Sequence, residues 1–436
     1  MVRGAAVLFF VLFLAGCLAP AATQPAATGP AALPFPDPMG QQHDHSDVTL
    51  HAASYQFLQT DHQPLAGSAT HGSGAHALAS AAGWLFAAVY GGEADNEGGF
   101  FVFNLSDPAH PKQVGRFQFP GALAGDRSIG VTPDAQYVVL GTEAVDCAGH
   151  VNPFAPGLYL IDVRDKAKPM IAATLPNSGV HSVTVHRIHG EDYVFSLMPD
   201  KNIVHIVKDG PVPRLEAVGS VSIGHDSIVM DDPILGKPLL YAANGGAGFV
   251  ISDVSDPANP KQLAEWNIPN RGNRYYIHTG AVQIIGGHRI AVVTSEDWQD
   301  YPSALWVLDA TDFGLVETLA NWSASGDHAA DGLRYSMHNP RFLDDTLILA
   351  YYHGGVLGLD LSAPASPKPI ALFVPGASNG WKPQPAETHA VSDSACGQFH
   401  LADAPLVFDV ETSGGYVYAA DLPTGLYTLQ PQWARN

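Results

Sequence analysis

The stretch Phe249-Val-Ile-Ser-Asp-Val-Ser-Asp-Pro-Ala-Asn-Pro-Lys261 decides the architecture. Its opening residues are aromatic, β-branched or small, the composition of a buried strand. Asp253 ends that strand. Asp256-Pro257 then turns the chain, because Pro fixes φ and Asp side chains bond nearby backbone amides. The pattern recurs in Phe101-Val-Phe-Asn-Leu-Ser-Asp-Pro-Ala-His-Pro-Lys112, in Leu158-Tyr-Leu-Ile-Asp-Val-Arg-Asp-Lys-Ala-Lys-Pro169 and in Val356-Leu-Gly-Leu-Asp-Leu-Ser-Ala-Pro-Ala-Ser-Pro-Lys368. Leu305-Trp-Val-Leu-Asp-Ala-Thr-Asp312 is a shorter copy, Ile203-Val-His-Ile-Val-Lys-Asp-Gly-Pro211 a degenerate one, and Leu426-Tyr-Thr-Leu429 a truncated seventh.

Upstream of each copy lie two more apolar strand patterns, so each unit predicts a four-stranded antiparallel sheet. Seven units predict an all-β, seven-bladed β-propeller, which hides most sheet edges by radial closure. The blades are expected at about 74–120, 126–177, 178–222, 223–269, 276–323, 336–375 and 405–430. The last unit lacks a fourth strand. Leu50-His-Ala-Ala-Ser-Tyr-Gln-Phe-Leu58 is expected to supply it and close the ring, so the propeller spans 48–430.

Composition sets the boundary conditions. The net charge of −21 argues against a nucleic-acid partner, because phosphate binding needs clustered cations. Residues 1–16 combine Arg3 with a short apolar run and read as an export signal. Leu14-Ala15-Gly16-Cys17 resembles the lipobox of prokaryotic lipoproteins. That resemblance implies lipidation of Cys17, attachment to a membrane through the lipid alone, and a place in the periplasm or on the outer cell surface. Residues 17–47, rich in Ala and Pro, suit a flexible tether. Cys147 and Cys396 either pair as a disulfide or stand as two thiols; sequence leaves both open.

The repeats resemble the LVIVD-repeat family, seven-bladed propellers of prokaryotic surface proteins and lipoproteins. The resemblance covers about residues 48–430 and implies the fold more than an activity.

Twenty histidines stand against 21 Lys and Arg together, and alignment of the units orders them. Gly74-Ala75-His76, Gly179-Val180-His181, Gly224-His225-Asp226, Tyr276-Ile277-His278 and Ser336-Met337-His338 place His at one register, where the innermost strand begins. Ser128 and Phe408 hold that place in the second and seventh units. Imidazoles converging on an axis without thiolates suit a transition metal, copper or zinc, over calcium or magnesium. His389, on the long loop Pro375–Ala404, is a sixth candidate reaching in from above. Asp226 and Glu387 are candidate acceptors that orient the rings.

Three functions follow. The first is a lipid-anchored binding module whose histidine site holds a metal, with a small-molecule or envelope-protein ligand on the long-loop face. The second is a copper-dependent oxidoreductase, because selenium-binding protein, also known as methanethiol oxidase, is architecturally similar. The third is a structural or adhesion protein.

Overall fold

The computed structural model describes residues 53–65, 75–89, 98–118, 128–143, 156–198, 201–268, 275–296, 303–323, 336–375, 405–422 and 424–433. The export signal 1–16, Cys17 and the whole tether to residue 47 lie outside them. Every regular element among the described residues is a strand. The strands form seven antiparallel sheets arranged as expected of a seven-bladed propeller.

Blade 4 shows the plan. Ser227–Asp232, Lys237–Ala243, Phe249–Asp253 and Lys261–Trp266 run in order from the axis outward. The innermost strand of each blade touches the innermost strands of both neighbours, all the way round the ring. The expected Asp turns are present. Asp253 Oδ1 accepts the amide of Ser255 and Asp256 Oδ1 accepts that of Ala258. The pairs Asp162/Arg164 and Asp165/Ala167 of blade 2 repeat this geometry, as do Asp309/Thr311 and Asp312/Gly314 of blade 5. Each carboxylate satisfies a turn amide that the strand ladder cannot reach. The first and second strands are joined by tight turns. Ala82-Gly83, His189-Gly190, Gly286-Gly287 and Gly414-Gly415 all have positive φ at both positions, as two-residue hairpins of matching twist require.

The core is a ring of seams between blades. Apolar residues from facing sheets form one buried layer per seam; Leu85, Phe101 and Phe103 of blade 1 meet Tyr418 and Ala420 of blade 7. Blades 4 and 5 meet through Tyr241, Phe249, Trp266, Val293 and Trp306. Some polar pairs cross seams. Arg289 of blade 5 and Asp232 of blade 4 form an ion pair with both side chains fully buried. The outer strand of blade 3 runs so close to blade 4 that a Cβ on Gly219 would lie 2.0 Å from the Pro257 carbonyl oxygen.

An N-terminal strand closes the ring as expected, but it begins at Phe57 and extends beyond Leu58. Phe57–Gln63 pairs with Gly425–Pro431 as the fourth strand of blade 7. Ala53–Tyr55 instead pairs with Lys368–Val374 and adds a fifth strand to blade 6. The switch occurs at Gln56, whose φ of 58° breaks the extended chain between the two pairings.

Candidate metal centre

The axial register is built by β-bulges. Pairing in blade 1 skips from Ala75 to Ala77, in blade 5 from Ile277 to Thr279, and in blade 7 from Val407 to Asp409. His76, His278 and Phe408 are therefore the extra residues, and a bulge re-aims the side chain it carries. In blade 4 the amides of both Gly224 and His225 donate to the Ala243 carbonyl, two residues opposite one.

Five aromatic rings follow one another around the axis. His181 and His225 have centroids 4.6 Å apart, His225 and His278 4.2 Å, His278 and His338 4.2 Å, and His338 and Phe408 4.8 Å. His76 lies with Nε2 3.0 Å from Ser128 Oγ, the two residues of that register in blades 1 and 2. His76, His225, His278 and His338 are buried, whereas the side chain of His181 is 25% exposed.

The rings differ in chemistry. His338 donates from Nδ1 to the Phe408 carbonyl, so that nitrogen carries a proton and serves the seam between blades 6 and 7. His225 and His278 combine with Glu296 as three buried residues whose donor atoms all lie within 4.8 Å of one another. His278 Nε2 is 3.7 Å from Glu296 Oε2, and the Tyr352 hydroxyl donates to Glu296 Oε1 at 2.6 Å. On the other side His181 Nε2 lies 3.1 Å from His225 Nε2, and His181 Nδ1 lies 2.8 Å from Glu143 Oε1. Two imidazoles and a carboxylate converge, a third imidazole is adjacent, and a second carboxylate orients it. Such donor sets suit borderline divalent ions.

Of the residues read from sequence, His225 and His278 thus come together, and His181 adjoins them through His225. His338 packs against them, and His76 sits on the far side with Ser128. Asp226 accepts the Ser227 amide at 2.7 Å and the Thr279 hydroxyl at 3.0 Å, tying blade 4 to blade 5. Asp409 does the same between blades 7 and 1, accepting the amides of Val410 and Leu78. Burial works against the charge of nearby Arg341, but Glu411, Asp409 and Asp226 outweigh it and hold the guanidinium above its ordinary pKa. His389, Glu387, Cys147 and Cys396 lie outside the described residues.

Glu296 and Glu143 are not among the residues the sequence singles out. A signal was present: each closes the second strand of its blade, at the mouth of a long loop, in blades 5 and 2. The alignment that ordered the histidines orders these two glutamates as well.

Residues 239–265, within blade 4, match the LVIVD repeat model. No curated protein matches the chain by sequence. Among solved structures, a periplasmic gluconolactonase of Pseudomonas aeruginosa is 12% identical, with a TM-score of 0.52 over 72% of this chain and 89% of that one. A hypothetical selenium-binding protein of Sulfolobus tokodaii is 14% identical, with a TM-score of 0.50 over 81% and 90%. BamB of Moraxella catarrhalis is 10% identical, with a TM-score of 0.47 over 87% and 99%. At these identities the likeness is one of fold. The chain is a seven-bladed β-propeller that carries the LVIVD repeat.

Proposed function

We propose that this protein is an exported, lipid-anchored binding module that holds a transition metal, zinc or copper, at the axis of its propeller. The observation that carries this is the buried group of His225, His278 and Glu296, with donor atoms within 4.8 Å of one another and His181 beside it. Buried carboxylate and imidazole groups cost free energy unless their charges and lone pairs are met, and a divalent cation meets them together. Anchoring rests on Leu14-Ala15-Gly16-Cys17 and the tether that follows. A ligand, small molecule or envelope protein, would approach on the face where the long loops leave the blades.

Metal analysis of untagged protein tests the centre. We expect about one equivalent of zinc or copper, lost in a His225→Ala/His278→Ala variant that still shows strand circular dichroism. Substoichiometric metal at neutral pH, unchanged in that variant, refutes the centre and leaves a structural surface role. A Cys17→Ser variant tests the anchor and should move the protein from the membrane to the soluble fraction.

A copper-dependent oxidoreductase is the second reading. What favours it is that His181 and Glu143, each 25% exposed, give the buried donors a side open to solvent. Oxygen uptake with thiols by copper-loaded protein is the test, and no uptake refutes it.

A further inference from the structure

Tyr352 is unusual in backbone and side chain together. It is fully buried, and its φ is 40°, a left-handed value that bulky residues avoid. The other non-glycine residues of positive φ are Gln56, at the strand switch, and Ala82, Ala135, His189 and Asp344, in turns between first and second strands. Tyr352 alone of these lies at the axial site, and strain of this kind persists only where surrounding structure enforces it. The amides of Gly355 and Val407 both donate to its carbonyl. Its ring stacks on Phe408 at 5.0 Å and lies 4.9 Å from His338.

Phe would make those ring contacts equally well. What Phe lacks is the hydroxyl, which donates to Glu296 Oε1 at 2.6 Å. The two oxygens of Glu296 therefore face different partners: Oε1 meets the phenol, and Oε2 faces His278 Nε2 at 3.7 Å.

We infer that Tyr352 is a positioning residue that makes Glu296 a one-oxygen ligand and so sets the metal selectivity of the centre. This rests on the metal reading proposed above. A carboxylate pinned through one oxygen offers the other to the cation. With two or three imidazoles, that set matches the small, nitrogen-preferring ions zinc, copper and cobalt. A carboxylate that binds through both oxygens raises the oxygen count and admits ions such as manganese or calcium.

Cobalt(II) is the probe, because its visible absorption weakens as coordination number rises. In Tyr352→Phe, Glu296 is released to bind through both oxygens. We expect the visible bands of the cobalt protein to weaken and shift, and manganese to compete for the site at least tenfold better than in wild type. An unchanged spectrum with unchanged competition overturns the inference. Should that variant not fold, X-ray absorption on wild-type zinc protein decides. One carboxylate oxygen at roughly 2.0–2.2 Å supports the inference, and two oxygens of the same carboxylate overturn it. Wild type that binds neither cobalt nor zinc overturns the metal reading and this inference with it. Binding without the Tyr352 effect overturns this inference alone.

Discussion

Replacing Arg289 with Met should cost the ring about 4 kcal/mol, and the structure says why. Arg289 and Asp232 are both completely buried. The guanidinium donates from Nε to Asp232 Oδ2 at 2.6 Å and from Nη2 to Oδ1 at 2.8 Å. It also donates from Nη1 to the Ala310 carbonyl at 2.6 Å and lies over the Phe313 ring. Methionine keeps most of the stem packing and removes every charge-assisted bond. Asp232 would retain the amides of Ile234 and Leu235 and the Tyr241 hydroxyl, but no cation. Breaking one side of such a pair costs about 3–5 kcal/mol, because the remaining charge stays buried. For a ring spanning residues 53–433, at about 2 cal/mol/K per residue, that is about 5 °C in Tm. Calorimetry measures the loss, and pH separates the cause. In wild type, burial pushes the Asp232 carboxyl up, but Arg289 and the Leu235 amide outweigh it and leave the pKa below the usual value. That contribution to stability is present above the ordinary carboxylate pKa and lost as pH falls through the lowered one. Without Arg289 the pKa rises, and acidification from pH 7 to 5 should narrow the deficit. Arg289→Met/Asp232→Leu should recover most of it. A loss below about 1 kcal/mol, or a double variant as unstable as the two single losses combined, refutes this account.

Two further outcomes follow from the packing and from one buried acid. Gly219→Ala places a Cβ 2.0 Å from the Pro257 carbonyl oxygen, a backbone atom that moves only if blades 3 and 4 part. It should cost at least about 1–3 kcal/mol in urea denaturation, while Gly210→Ala, with 3.8 Å to Val212, changes little; equal effects would contradict the close approach. Burial drives the Asp421 carboxyl from 3.8 up to about 6, against hydrogen bonds from Thr424 and the Leu406 amide. A raised folded pKa means stability that is full below pH 4 and lost as pH rises through about 6, about 3 kcal/mol in all. Asp421→Asn should flatten the dependence of Tm on pH between 4 and 6; an unaltered slope counts against it.

The candidate site was legible in part. Recurrence of His at one register was visible because each blade repeats the same local chemistry. Placing His181, His225 and His278 together needed only the assumption of a ring. What escaped were Glu296 and Glu143, which also share a place in the repeat but occur in two blades. Their tie to imidazoles depends on how the second strand of a blade ends against the first, and on a bridge from Glu143 to Gly179 of the next blade. The different fates of His338 and His76 were equally hidden, since a carbonyl of blade 7 and a hydroxyl of blade 2 decide them.

The sequence by itself determined the blades. Strand periodicity, Asp-Pro turns and glycine hairpins act over a few residues, so each repeat carries its own instructions. The tertiary structure alone decided which donors meet. Bulges at His76, His278 and Phe408 aim those side chains, seams bring residues from different blades within hydrogen-bond reach, and Gln56 sends one short N-terminal segment to two blades. Those outcomes depend on closing a ring whose ends lie far apart in the chain. No local window of residues contains that information.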